Sequence, residues 1–173
     1  MDSKVKVILS MVFFMALTTG CAAAGQQHPA SGSQTFTWNV QAEQVEIKPA
    51  LSTTEVVTLY NGDKNEVLHE NKPADGNTYL ILKLKIQKTG SAAAAFEWKN
   101  LSVSDKAGKQ YFRLENDSFL EQHHYSPRMT GLTIRFGESE GWVCFEVPQT
   151  SASSTLNLVY VTSEGQQQVE LHK

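Results

Sequence analysis

Two cysteines in 173 residues, Cys21 and Cys144, are too few for a disulfide framework. If the first is modified or cut away, the second has no partner within the chain, and stability rests on packing alone even in an oxidising compartment. Methionine is equally scarce beyond the start: Met1, Met11 and Met15 precede Cys21, and only Met129 follows it. That argues against a site built from several soft sulfur ligands. The chain has 15 basic and 18 acidic residues and no basic stripe, so nucleic acid is not an expected partner. No apolar run reaches the roughly 20 residues that a membrane-spanning helix needs. No nucleophile setting is expected, and the carboxylates are scattered over strand exteriors and turns, where solvation is their ordinary role. The expectation is a protein that is not an enzyme and holds no cofactor.

What is present begins at the N-terminus. Lys4 and Lys6 precede Val7 to Leu17, apolar except for Ser10, and the small and polar cluster Thr18-Thr19-Gly20-Cys21 follows. A basic start, a short apolar stretch and small residues at its end form an export signal. Two cleavage readings share this place. Ala22-Ala23-Ala24 offers an A-x-A site whose use would discard Cys21 and release a secreted protein. Thr18-Thr19-Gly20-Cys21 resembles the lipobox of bacterial lipoproteins, with Thr18 where that family usually has Leu and with Leu17 one place early. This resemblance implies that the Cys21 thiol carries a diacylglycerol and that residues 1–20 are removed. It is the preferred reading, since Gly20 fits and no charge lies between Lys6 and Cys21.

Loss of residues 1–20 removes Asp2, Lys4 and Lys6 and leaves a formal charge of −4. Residues 21–34, Cys21 and the stretch after it, have no large apolar side chain and no formal charge, so they read as a tether. Its root-mean-square span is roughly 20 Å. The expected localisation is the outer side of the cytoplasmic membrane, held by lipid on Cys21. Residues 35–173 are the length of one domain with one core.

From Thr35 the hydrophobic period is two. Phe36, Trp38 and Val40 alternate with Thr37 and Asn39; Leu80, Leu82, Leu84 and Ile86 alternate with Ile81, Lys83, Lys85 and Gln87; Val143, Phe145 and Val147 alternate with Trp142, Cys144 and Glu146. Further strands are expected over 45–48, 55–60, 66–70, 96–103, 110–114, 132–136, 156–162 and 168–172. Turn signals separate them, among them Asn61-Gly62-Asp63, Asp75-Gly76-Asn77 and Ser163-Glu164-Gly165. Short strands without a long helical period predict an all-β antiparallel sandwich or barrel. Residues 115–131 break the alternation. They read as one long crossing connection between sheets, with a helical turn over 119–123 that Asn116-Asp117-Ser118 can cap and Ser126-Pro127 ends.

Three blocks then carry a resemblance. Residues 75–86 (DGNTYLILKLKI), 101–111 (LSVSDKAGKQY) and 136–148 (FGESEGWVCFEVP) are similar to a strand, a hairpin and a Gly-Trp segment of the uncharacterised immunoglobulin-like domain found on exported bacterial lipoproteins, a family related to a mycobacterial immunoprotective secreted antigen. The blocks occur in the family's order over residues 35–161. Phe136 stands where the family usually has Pro, and Gly137 keeps the left-handed position a tight turn needs. The resemblance implies an immunoglobulin-like β-sandwich and an extracytoplasmic address, and implies no activity.

Candidate site residues are few. His123-His124 and His69-Glu70 are metal-capable neighbours, but adjacent side chains diverge on strand and helix alike, so no metal site is expected. No Lys, Arg or His adjoins Cys144 to activate its thiol. If the strand at 79–87 pairs with that at 142–147, Tyr79, Ile81 and Trp142, with Cys144, form an apolar patch on the outside of one sheet. Such a patch is either an interaction face or the seat of the 115–131 connection or the tether. Two functions follow. One is a non-enzymatic module binding a protein or envelope component through loops or the Trp142 face. The other is an accessory binder of a small molecule or carbohydrate on Trp98, Trp142 or nearby tyrosines, serving a transporter or envelope enzyme.

Overall fold

The structure, a computed structural model, describes residues 36–172, so the expected signal, Cys21 and the expected tether lie outside the described residues. The described chain is all-β and antiparallel. Its first sheet has β4 (Asn77–Lys88) at the centre, with β1 (Trp38–Lys48) on one side and β7 (Glu138–Pro148) on the other. The second sheet runs β6 (Gln110–Tyr111), β5 (Leu101–Ser104), β8 (Leu156–Thr162), β9 (Gly165–Leu171). A hairpin of β2 (Leu51–Thr58) and β3 (Lys64–Asn71) belongs to neither sheet.

Alternation decides which face each strand buries. Leu80, Leu82, Leu84 and Ile86 of β4 turn inward with Val143, Phe145 and Val147 of β7. The register sets Leu80 against Phe145 and Leu82 against Val143, so the inward rows of the two strands coincide. They meet Leu101, Val103, Leu156, Leu158 and Tyr160 of the second sheet. Phe96 stacks on Tyr160 with 4.6 Å between ring centroids and receives the edge of Trp38 at 5.9 Å. Burial of such side chains supplies roughly 1.5–3 kcal/mol each before conformational entropy is subtracted. At one margin Gln167 of β9 joins the sheets, accepting from the Val40 backbone at 3.0 Å and donating to Asn39 at 2.9 Å.

Local details depart from the alternation reading. The expected strands at 36–40 and 45–48 are one strand, because a bulge between Ala42 and Gln44 absorbs a residue and keeps the apolar row inward. The expected strand at 96–103 is split by a short 3-10 turn, Trp98–Asn100, and only Leu101–Ser104 pairs. Residues 132–136 form no strand; Ile134 alone bridges Phe96. The turn at Gly137 has φ 77°, as its position required.

The long connection runs from β6 of one sheet to β7 of the other, with a helical turn α1 (Phe119–Gln122). It lies along the free edge of β7: Leu114 donates to the Cys144 carbonyl at 2.8 Å, and Met129 to that of Trp142 at 2.9 Å. Ser118 occupies the cap position of α1 without a side-chain capping bond. Asp117, expected to help cap, is instead held by two arginines: Arg128 Nη1 donates to it at 2.8 Å, and Arg113 Nη2 lies at 3.4 Å.

Candidate binding surface

Tyr79, Ile81 and Trp142 do share the outer face of the first sheet, as β4–β7 pairing required, and Ile81 stands opposite Cys144. They do not form an open interaction face. Leu51, Leu114, Phe119, Leu120 and Tyr125 pack on them, and Ile81 and Cys144 have no exposure at all. The cause is visible along β4, whose outward side is apolar at Tyr79 and Ile81 and then charged at Lys83 and Lys85. The connection covers the apolar half. The charged half stays at the surface, with Lys83 paired to Glu43 and Glu140 and Lys85 to Glu138.

Under this cover, burial, with the charges of Asp117 and Glu146 adding to it, pushes the Cys144 thiol far above its ordinary range, so it stays protonated and inert. Tyr125 sets its ring edge on Trp142 at 4.9 Å and donates its hydroxyl to Glu46 at 2.9 Å. Burial and that carboxylate raise the Tyr125 pKa.

The histidines separate in role. His123 is buried, with Nε2 2.9 Å from Asn71 Oδ1 and Nδ1 2.8 Å from the Thr53 hydroxyl. The amide oxygen only accepts, so Nε2 carries the proton and the neutral ring accepts from Thr53. The side chain thereby ties the connection to the base of the β2–β3 hairpin. His69 meets Glu55 at 3.0 Å and lines, with His124, an open cleft beside it. Among the described residues no three His, Cys, Asp or Glu side chains come together in a metal-binding group.

The open surface lies elsewhere, around Trp98. Two clefts of about 420 and 680 Å³ share Trp98, Thr130 and Gly131 as walls. The Trp98 indole donates to the Leu132 carbonyl at 3.0 Å, sets its ring against the edge of Phe96 at 5.2 Å, and carries the Arg113 guanidinium 4.7 Å from its centroid. Arg113 in turn reaches the buried Asp117. Burial raises the Asp117 pKa and lowers that of Arg113, against their mutual attraction, because each charge has lost its water. On the rim Phe112 is 55 % exposed, Leu132 75 % and Phe136 81 %. Trp98 was legible as a candidate; the three rim residues were not. An expected strand over 132–136 implies one buried face, and nothing local in the sequence says that the partner strand is missing.

No family profile matches the sequence, and no curated protein matches it. Solved structures do. A conserved hypothetical protein from Bacillus anthracis aligns over 78 % of this chain and 89 % of its own, with a TM-score of 0.47 and 10 % identity. An uncharacterised β-sandwich protein from Clostridium difficile aligns over 80 % of this chain and 87 % of its own, with 0.41 and 12 %. A candidate lipoprotein from Bacillus subtilis aligns over 79 % of this chain and 38 % of its own, with 0.43 and 12 %.

Proposed function

We propose that the chain is an exported module, tied to the outer side of the cytoplasmic membrane by lipid on Cys21, that binds a protein or envelope partner without catalysing a reaction. The observation that carries the binding part is the exposure of Leu132 and Phe136 on one of the two clefts that Trp98 walls and of Phe112 on the other. Large apolar side chains exposed beside open clefts are a feature of partner surfaces. The anchoring part rests on the sequence before and at Cys21, and no helix among the described residues is long and apolar enough to cross a membrane.

The second reading, an accessory binder of a small molecule or carbohydrate, is favoured by the size of the clefts, which is that of ligand pockets. Against it, Arg113 already lies over the Trp98 ring, and Trp142 is buried. A photo-crosslinking residue at Leu132 or Phe136 in the native host should join the protein to one partner. The same residue at Tyr60, on the far hairpin, should not. Identical products from both positions would remove the cleft from the account. Saturable quenching of tryptophan fluorescence by a sugar, abolished in Trp98→Phe, would select the second reading. Intact mass of the membrane fraction tests the anchor: a chain starting at Cys21 with acyl mass supports it, and a soluble chain starting at Gly25 overturns it.

A further inference from the structure

The β2–β3 hairpin stands apart from both sheets, and among the described residues neither of its strands has a second neighbour. Only its base is held, through Leu51 in the cluster under the connection and through Thr53 and Asn71 on His123. Two-stranded hairpins on their own are marginal in water, and an open strand edge is a template for another strand. One face of the ribbon also carries two exposed apolar side chains, Val56 at 57 % and Leu68 at 64 %.

The ladder fixes which groups face outward. Leu59 donates to the Asp63 carbonyl at 2.7 Å, and the register continues from Thr58↔Lys64 to Leu51↔Asn71. Antiparallel pairs alternate between bonded and non-bonded, so Asn65, Val67 and His69 bond to β2. The backbone groups of Lys64, Glu66, Leu68 and Glu70 therefore point away from it, to the free edge.

We propose that this β3 edge pairs with the β3 edge of a second copy of the chain, antiparallel, with Val67 facing its own copy across a two-fold axis. Charge selects the register. Outward groups must meet outward groups, so the axis passes through a residue. Centred on Glu66, the pairing sets Glu66 against its copy; centred on Leu68, it sets Glu66 against Glu70 twice. Centring on Asn65 or His69 shortens the overlap within the strand. Centred on Val67, it places Lys64 opposite Glu70 twice and Glu66 opposite Leu68, with no like charges face to face. The two Leu68 side chains then lie diagonally across the axis, and the two hairpins become one four-stranded sheet. The same patch serves both copies, as a two-fold interface requires. This pairing does not use the Trp98 clefts and stands independently of the function proposed above.

Sedimentation velocity of the full chain in non-ionic detergent, over a range of concentrations, is the test. The expected result is a monomer–dimer equilibrium. Leu68→Pro removes an outward N–H that β2 does not use and should leave only monomer. Lys64→Glu, which sets Glu against Glu70 twice, should weaken the dimer about tenfold or more. Adding Glu70→Lys to it should restore the dimer, a rescue that misfolding could not produce. Val67→Cys should give a disulfide-linked dimer on oxidation, while Asn61→Cys at the turn should not. A chain monomeric at every concentration, a dimer that Leu68→Pro leaves intact, or a charge swap without rescue would overturn the proposal.

Discussion

Arg128 donates through Nη1 to the Asp117 carboxylate at 2.8 Å, and that carboxylate has no exposure to solvent. One residue on the descending arm of the connection thus grips one on the ascending arm, across α1. Arg113 lies on the carboxylate's other side. Removing one member of a buried ion group leaves the others charged and dry, which costs about 3–5 kcal/mol. Asp117→Asn is therefore expected to destabilise by that order, with the midpoint of urea unfolding falling and the slope unchanged. A loss below 1 kcal/mol would mean the group is solvated and the clamp is not structural.

Cys144 reports on the same cover. Its thiol is fully buried and held protonated, so a thiol reagent should leave it untouched in the native protein and modify it on unfolding. Leu120→Ala removes a buried side chain that packs over it, at an expected cost of about 2–5 kcal/mol, and should make Cys144 react under native conditions. Fast labelling of the unmutated protein would show that the cover opens readily.

Packing of the connection on β7 also depends on Gly141. A Cβ there would lie 2.7 Å from the Pro127 carbonyl oxygen and 2.9 Å from Met129 Cγ. The first contact is backbone, so the segment itself must move. Gly141→Ala is expected to lower the unfolding free energy by about 1–3 kcal/mol. Gly62→Ala, where a Cβ meets nothing but φ is 88°, should act through backbone strain alone, by about 1 kcal/mol. Equal effects at the two positions would deny the close approach.

His123 supplies a pH dependence of definite sign. Burial first, then the neighbouring His69 and His124, lowers its pKa in the fold. The unfolded chain accordingly binds the proton more readily, and stability rises with pH. The contribution is complete above the unfolded value near 6.5 and is lost as pH falls through the depressed folded value. Unfolding free energies between pH 7.5 and 5 should fall for the natural protein and fall less for His123→Gln. A His123 ring-proton resonance titrating above 6.5 would reverse the sign.

The sandwich was legible because a row such as Leu80, Leu82, Leu84, Ile86 states its own burial: every second residue is apolar, while the alternate row turns charged from Lys83 onward. The connection was legible as an interruption, and so was its passage between sheets. Its resting place was one of two readings, because both an exposed and a covered Trp142 satisfy the same alternation. Asp117 shows the limit best. Locally, Asn-Asp-Ser before an apolar pair reads as a helix cap. Its real partners, Arg113 and Arg128, lie four and eleven positions away, on arms brought together only by the folded β7 edge. The open rim at Leu132 and Phe136 was hidden for the converse reason, since an apolar segment with no paired neighbour has the same sequence as one with a neighbour.

The connection also guards the sheet. β7 is an outermost strand, and an outermost strand exposing a continuous row of amide donors and acceptors invites foreign chains to add to it and spread into fibres. Leu114, Pro127 and Met129 take up those groups on Cys144 and Trp142 in the middle of β7, where the strand is most apolar. A protein cut within residues 115–126 would keep most of its core yet lose this guard, and should pass from a soluble species to one that nucleates aggregates.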